Sequence, residues 1–563
     1  MRMSKRSFAR SLRGSTRIRF VLRRFVLASL VVLVVACDRE IPQPLQPAQP
    51  APLTPREGGR VVRRLESDPE TLNFVRHSTE DEHQVLMMIY DPIIELNENL
   101  DPIPGLATRW EILDGGRTYV FHLDPRATYS DGKPVLASDV VFTLNKILDE
   151  ESMQYASYFE TLDRENTKAL DEHTVRVAFK EVRAGQLLYF NIGVMPEHVY
   201  GKGDFKKNRT VIGSGPYVMK QRIAGRSILL KRRDDYWREK PRIEEILFRP
   251  IGDDNTAWKA LEHGDVDVSR VTNDTWSRVK DDPEVTKKVD FHNVWQFTYN
   301  AVAWNLDDPL FADARVRRAL AMCFDRQTVI DKLYHGQARA ATGPFVQDSW
   351  AYDPKVLPIE YNPQGAAAIL ASAGWRDTDG DGILDRDGKK FVFSTLIISG
   401  NKASVDQSQV LQDSLKKAGI QMDLRAVDGA AYAEEVFKRN FQAAFVAWVI
   451  DPDPNPKQLF HSTMVAPAGM NVVGYRNPEA DELMDKAEKE LDQSRRQDLY
   501  HHLHEIIARD QPYLFTVQVA IKWGTSKRVQ NVKIAKGYGL FHFSPGPLGW
   551  WLKDDPKAQK KKR

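Results

Sequence analysis

Cysteine is almost absent from this chain. Only Cys37 and Cys323 occur in 563 residues. Cys323 follows Val316 by seven residues and Leu320 by three, which places it on the apolar face of a helix and in the core. With Cys37 beside an N-terminal leader, no intrachain disulfide is expected. Long apolar runs are missing too. The block "FVLASLVVLVVA" at 25–36 holds about twelve residues, whereas a bilayer span needs about twenty. Neither charge dominates, with 80 basic against 77 acidic side chains. Catalytic motifs are also lacking: there is no H-E-x-x-H and no phosphate loop, and Ser214 between Gly213 and Gly215 lacks the G-x-S-x-G spacing of a nucleophile elbow and reads as a turn. Nothing points to catalysis, and no cofactor is expected.

What is present begins with a leader. Residues 1–36 carry nine basic side chains and no acid, and end in the short apolar block. A basic start, a short apolar stretch and small residues before a Cys are the pattern of a secretory signal. "LVVAC" resembles the lipobox of bacterial lipoproteins, which implies cleavage before Cys37, lipid on that residue and, with Asp38 next to it, retention at the inner membrane if the cell is Gram-negative. Without the leader, 71 basic groups face 77 acidic ones, a formal charge of −6. A mildly acidic exported body argues against nucleic acid as a partner. Residues 41–55 hold six prolines and no charge and form a tether, reaching about 45 Å at polyproline rise. "KAQKKKR" at the other end reads as a solvated tail.

Length and 42% hydrophobic content allow more than one sizeable core. "ASDVVFTLNKIL" is an amphipathic helix with Ser138 as its expected cap and Val140, Leu144, Ile147 and Leu148 on one face. "RTYVFHL" and "HTVRVAF" alternate as half-buried strands. Asn362 caps a helix, Pro363 takes its first position and Gly374 ends it. Between 391 and 450 the pattern is β-α-β-α-β, which winds right-handed with parallel strands. Ligands of such sheets sit beyond the carboxyl ends of the strands. The third strand runs into "WVIDPDPNP", so Trp448, Asp451 and Asp453 stand where a ligand would be.

Two metal-like patterns need weighing. In "GWRDTDGDGILDRDGKK", Asp377, Asp379, Asp381 and Asp385 fall on calcium-loop positions 1, 3, 5 and 9. Position 12 is Gly388 rather than Glu, no second helix follows, and Asp387-Gly388 suits a two-residue hairpin turn. A helix-loop-helix calcium site is not expected, and these four aspartates remain weak candidates for a looser ion. In "HHLH", His501 and His504 are three apart and expected to point outward, with His502 flanking the core; exposed histidines are the better reading than a metal pair.

Several separate stretches, "GLATRWEILDGGRTYVFHLDPRATYSDGKPVLASDVVFTL" above all, with "IGSGPYV", "DARVRRALAMCFDRQTVIDKLYHGQARAATGPF" and "VVGYRNPEADELMDKA", resemble the bacterial extracellular solute-binding proteins, family 5, the peptide-, dipeptide- and nickel-type receptors of ABC importers. The resemblance implies an α/β protein with the two-lobed periplasmic-binding-protein-like fold (cluster C type) and an extra subdomain in the first lobe. The implied division is a signal peptide (1–36), lipidated Cys and tether (37–57), first lobe (58–97, 211–300 and 524–553), inserted subdomain (98–210), second lobe (301–523) and basic tail (554–563). It further implies a monomer that captures oligopeptides on the periplasmic side of the cell membrane, anchored through lipid on Cys37. The captured peptide would pass to a permease and its ATPase subunits. In peptide-binding members an Asp three residues after a Trp pairs with the ligand's α-ammonium, which carries over to Trp448 and Asp451, with Asp453 as the alternative because Pro452 follows directly. A nickel chelate, an oligosaccharide or a small cationic metabolite is the alternative ligand, and a stand-alone sensor or chaperone the alternative role.

Overall fold

A computed structural model describes residues 54–553. Cys37, the leader and the basic tail lie outside the described residues.

Two large sheets organise the chain. The first has the strand order Val289–Trp295, Val517–Ser526, Val268–Val271, Arg60–Leu65, Glu245–Pro250, Ser227–Arg232 and Tyr217–Ile223, and Ala338–Ala340 also pairs with Val517–Ser526. The second has the order Gln421–Val427, Val392–Ile398, Ala443–Val449, Thr298–Trp304 and Tyr513–Phe515. Within it, Val392–Ile398 runs parallel to both neighbours, with helices Lys402–Lys417 and Gly429–Phe437 as the crossovers. That is the β-α-β-α-β unit expected from the sequence. A four-stranded sheet from Ala107–Leu113 to Thr174–Ala178 shares one apolar core with the first large sheet, through Phe121, Val175 and Phe190 beside Val61 and Leu65. Thr118–Leu123 in that sheet is buried on both faces along most of its length rather than half-buried.

The chain crosses from the first sheet to the second between Trp295 and Thr298 and returns at Thr516. The two strands run side by side there: Thr516 N–H donates to the Asn300 carbonyl (2.9 Å) and Gln518 Nε2 to the Gln296 carbonyl (2.9 Å).

Local signals explain most element ends. Asn362 Oδ1 accepts from Gly365 N–H (2.8 Å), Pro363 is the first residue of Pro363–Ser372, and Gly374 has φ +87°. The helix Ala137–Asp149 corrects the expected cap. Ser138 lies inside it, and the N-terminus is instead closed by Asp139, whose Oδ2 accepts from Leu136 N–H (2.9 Å). A carboxylate one turn in can satisfy a free donor as well as a serine hydroxyl. Val140, Leu144 and Ile147 are buried on its inner face.

Cys323 is fully buried just past helix Ala314–Met322, where burial pushes its thiol up to about 12. Ser214 is buried and its Oγ accepts from Asp91 N–H (3.1 Å). A Cβ on the adjacent Gly215 would lie 2.6 Å from the carbonyl carbon of Ile89, so glycine is required by close backbone approach.

The aspartate-rich loop opens into a hairpin, Asp385–Arg386 with Lys389–Lys390, turning at Asp387 (φ +53°) and Gly388 (φ +74°) as the sequence suggested. Asp377 accepts from Gly380 and Gly382 N–H (2.7 and 3.0 Å), Asp385 from Thr378, and Lys390 Nζ pairs with Asp379 and Asp381. Carboxylate oxygens of Asp377, Asp379 and Asp385 converge within 4.8 Å, a group that does not include Asp381.

The expectation for "HHLH" is overturned. His504, not His502, faces the core: its Nδ1 accepts from Asp353 N–H (3.3 Å) and its Nε2 lies 3.0 Å from Thr342 Oγ1. His502 is exposed beside Glu479 (3.3 Å). The buried residues of helix Gln493–Asp510 are Arg496, Tyr500, Leu503, His504, Ile506 and Ile507, a stripe wide enough to take in His504 and leave His502 outside. With both His504 nitrogens engaged, no His501–His504 metal pair can form.

Candidate functional site

A cavity of about 210 Å³ lies between the first-lobe core and the end of strand Ala443–Val449. Ile450 N–H makes the last bond of the ladder, to the Phe297 carbonyl (2.6 Å), and the strand stops there because Pro452, Pro454 and Pro456 remove the donors a longer ladder needs. The segment they stiffen is tied down by Trp350 Nε1 donating to the Pro452 carbonyl (3.1 Å) and Tyr500 OH to that of Pro454 (2.7 Å). Asp451 and Asp453 are thereby delivered to the cavity wall.

The two carboxylates meet different partners. Asp453 Oδ2 accepts from Arg496 Nη2 at 2.6 Å, with both side chains nearly buried (12% and 4% exposed). Arg496 also donates to the Glu490 carbonyl (3.0 Å) and sits over the Trp350 ring at 5.0 Å. Burial pushes Asp453 up to about 6 even with this guanidinium alongside. Asp451 has hydroxyl partners alone: Tyr158 OH donates to Oδ1 (3.0 Å) and Tyr189 OH to Oδ2 (3.2 Å). Burial holds its carboxyl above the usual range, against the pull of those two hydrogen bonds and of Arg183. Among the described residues no cation forms an ion pair with Asp451.

Tyr158 and Tyr189 stack at 4.0 Å and 11°. Both come from the chain that packs on the first-lobe core, so their bonds to Asp451 cross from one lobe to the other. A second crossing contact is made by Gly185, at φ +76°, where a Cβ would lie 2.6 Å from Asp453 Cγ. Gly185→Ala is expected to prop the lobes apart through the overlap with Asp453, at a cost of about 1–3 kcal/mol to closure. Calorimetry with a binding ligand should register that as a loss of affinity, and the strain of a left-handed Ala, which is independent of closure, should lower the variant's Tm as well.

Trp448 does not line the cavity. Its indole packs with the second-lobe core, in register with Tyr299. Reasoning from the sequence missed Tyr158, Tyr189 and Arg496, and also a group of side chains on the cavity wall formed by Glu80, His83 and His542. A usable signal existed for one part. "TEDE" at 79–82 is a capping box, with Thr79 Oγ1 accepting from Glu82 N–H and Glu82 reaching back to Thr79 N–H, and it places Glu80 and His83 on one short helix, Glu80–Leu86.

The chain matches the family model for bacterial extracellular solute-binding proteins, family 5 Middle, over residues 101–468. It belongs to that family. It is 29% identical over 510 residues to the oligopeptide-binding protein AppA of Bacillus subtilis, covering 88% of this chain and 92% of that one. It is 30% identical over 469 residues to protein XP55 of Streptomyces lividans, covering 82% and 83%. The solved structure of the B. subtilis AppA protein in complex with a nonapeptide superposes with a TM-score of 0.73 at 28% identity, covering 89% of this chain and all of that one. NikA from Brucella suis, solved with Fe(III)-EDTA, superposes with a TM-score of 0.78 at 20% identity over 88% of this chain and 100% of that one, which shows the shared fold. The family comprises solute-binding proteins that work outside the cytoplasm, and the two-lobed α/β fold is the one the sequence resemblance implied. Among the described residues no helix is long and apolar enough to cross a membrane.

Proposed function

We propose that this protein is the substrate-binding receptor of an ABC importer, capturing oligopeptides between two closing lobes, with Asp451 receiving the peptide's α-ammonium. The observation that carries this is the unbalanced carboxylate of Asp451 on the cavity wall. A buried carboxylate with neutral donors only opposes closure until a cation arrives. The ligand's ammonium meets that need, and charge-assisted hydrogen bonds to it are the strong ones. Asp453 is a poor second choice because Arg496 already balances it. The likeness to the B. subtilis relative solved with a nonapeptide supports the choice of peptides. Closing is driven only by the ligand's differential affinity for the closed form, which the permease and its ATPase subunits would then read. Lipid on Cys37 would hold the monomer at the periplasmic side of the cell membrane, the proline-rich tether giving it reach.

Titration calorimetry of the protein refolded free of ligand, with a tri- to pentapeptide pool and the same pool N-acetylated, both in EDTA, tests the reading. Heat from the free-amine pool alone is the expected result. Equal binding of both pools removes the anchor assignment, and silence from both moves the ligand outside the peptides.

A further inference from the structure

The cavity wall carries a relay of imidazoles that the ammonium anchor leaves unused. His77 Nδ1 lies 2.7 Å from the Phe74 carbonyl oxygen. A carbonyl can only accept, so the proton of His77 sits on Nδ1, and Nε2 of the neutral ring is an acceptor. That Nε2 is 3.0 Å from His83 Nδ1, which must therefore be the protonated nitrogen of His83. His83 Nε2 is left with a lone pair and, among the described residues, no protein partner. The ring lines the cavity.

Burial and the neighbouring imidazoles disfavour an extra proton on this relay. His83 stacks on His542 at 4.7 Å and lies 5.1 Å from His77, ring to ring, with Tyr155 OH 3.4 Å from its Nδ1. Burial first, then repulsion from His542 and His77, holds the His83 pKa well below the ordinary imidazole value, with Glu80 opposing; His77 is lowered by burial too. Glu80 stands one turn before His83 on helix Glu80–Leu86 and lines the same cavity. Its Oε1 accepts from Gln84 Nε2 and from His542 Nε2, both at 2.7 Å. Its Oε2 has no protein partner among the described residues, and 58% of the side chain is exposed. Residues three apart share a helix face, so the wall presents two open acceptors together, one of them charged. The imidazoles do not make a preformed metal cage: among the described residues three metal-ligating atoms converge only at Asp377, Asp379 and Asp385.

We propose that Glu80 and His83 form a second ligand subsite, which takes the cationic side chain, an ammonium or guanidinium, of a bound peptide, with His83 accepting through the Nε2 that Phe74 and His77 keep unprotonated. This rests on the peptide reading of the cavity and adds a side-chain preference to it. His77 is a positioning residue: it acts by fixing the proton of His83.

The test uses trialanine peptides carrying lysine at one position, each paired with a norleucine counterpart of similar stem and no charge. Calorimetry at neutral pH should find a lysine peptide that binds roughly tenfold or more tightly than its partner. His83→Phe, which cannot accept, should cut the lysine-to-norleucine affinity ratio severalfold while Glu80 keeps the remainder, the ratio cancelling any general effect on the cavity. His83→Gln, whose amide oxygen can accept, should restore part of the loss; a merely structural role would move both peptides alike. Nitrogen-15 NMR of the ligand-free protein should show His83 Nε2 as the unprotonated ring nitrogen, a readout that needs no variant. Equal affinities in every pair, or a protonated Nε2, overturn the subsite and leave the peptide reading standing. If no peptide of either set binds, both fall together.

Discussion

Asp451→Asn should cut the affinity for free-amine tripeptides by roughly ten- to a hundredfold, the worth of a charge-assisted hydrogen bond to a single ionised group, and leave affinity for N-acetylated peptides nearly unchanged. The amide keeps one acceptor for Tyr158 or Tyr189 and discards the charge. Ligand-free stability at neutral pH should therefore hold or rise, because the folded protein no longer carries an ionised carboxylate balanced by hydroxyls alone. Calorimetry and thermal unfolding of the same preparation read the two effects separately. The parent protein should show the matching pH dependence. Asp451 is held above the ordinary carboxylate value, so ionising it opposes folding, and that penalty fades as pH falls through the raised pKa toward the unfolded one. An arriving ammonium needs the ionised form. Peptide affinity should drop over the same interval in which ligand-free stability recovers; the Asn variant should lose the affinity trend and only its share of the stability trend, since Asp453 is raised as well.

Arg496→Met should be the most destabilising single change at the site. It leaves Asp453 with a nearly buried carboxylate and no cation, a situation that costs about 3–5 kcal/mol. The Glu490 carbonyl loses a donor as well. Urea unfolding of the ligand-free protein measures this directly. The deficit should shrink as pH falls, since Asp453, already pushed up to about 6, goes higher still without its guanidinium and takes a proton instead. Adding Asp453→Asn to Arg496→Met should recover most of the loss, because removing both members of a buried pair avoids a stranded charge. A full deficit in the double variant would mean that Arg496 acts mainly through Trp350 and the Glu490 carbonyl.

These two aspartates show how far the sequence could be read. Their place at the end of a parallel strand followed directly from period, crossover length and the prolines after it, all local properties. Which of them is free to bind a cation did not. That depends on Arg496, forty-three residues on, and on Tyr158 and Tyr189, more than 260 residues earlier in the chain. Local pattern carries no information about such partners. The helix at 363–372 was legible to the residue because its cap, its proline and its terminal glycine lie within a dozen positions. Ser138 misled because two neighbouring residues, the serine and Asp139, could each close the same helix end. His504 misled because the apolar residues of a helix do not fix how far its buried stripe extends, and only the facing elements, Thr342 and Asp353, bring the imidazole inside. The histidine relay was invisible for the same reason as the tyrosines: His542 is supplied by a segment 462 residues from Glu80.

The strand Val517–Ser526 lies between Val289–Trp295 and Val268–Val271 in the first sheet. During synthesis, the slot it fills stays open until more than two hundred further residues have been added. The first sheet therefore cannot be completed until the residues that build the second sheet have been made. Pairings of such long sequence separation are slow to form, and here the delay is built into chain order.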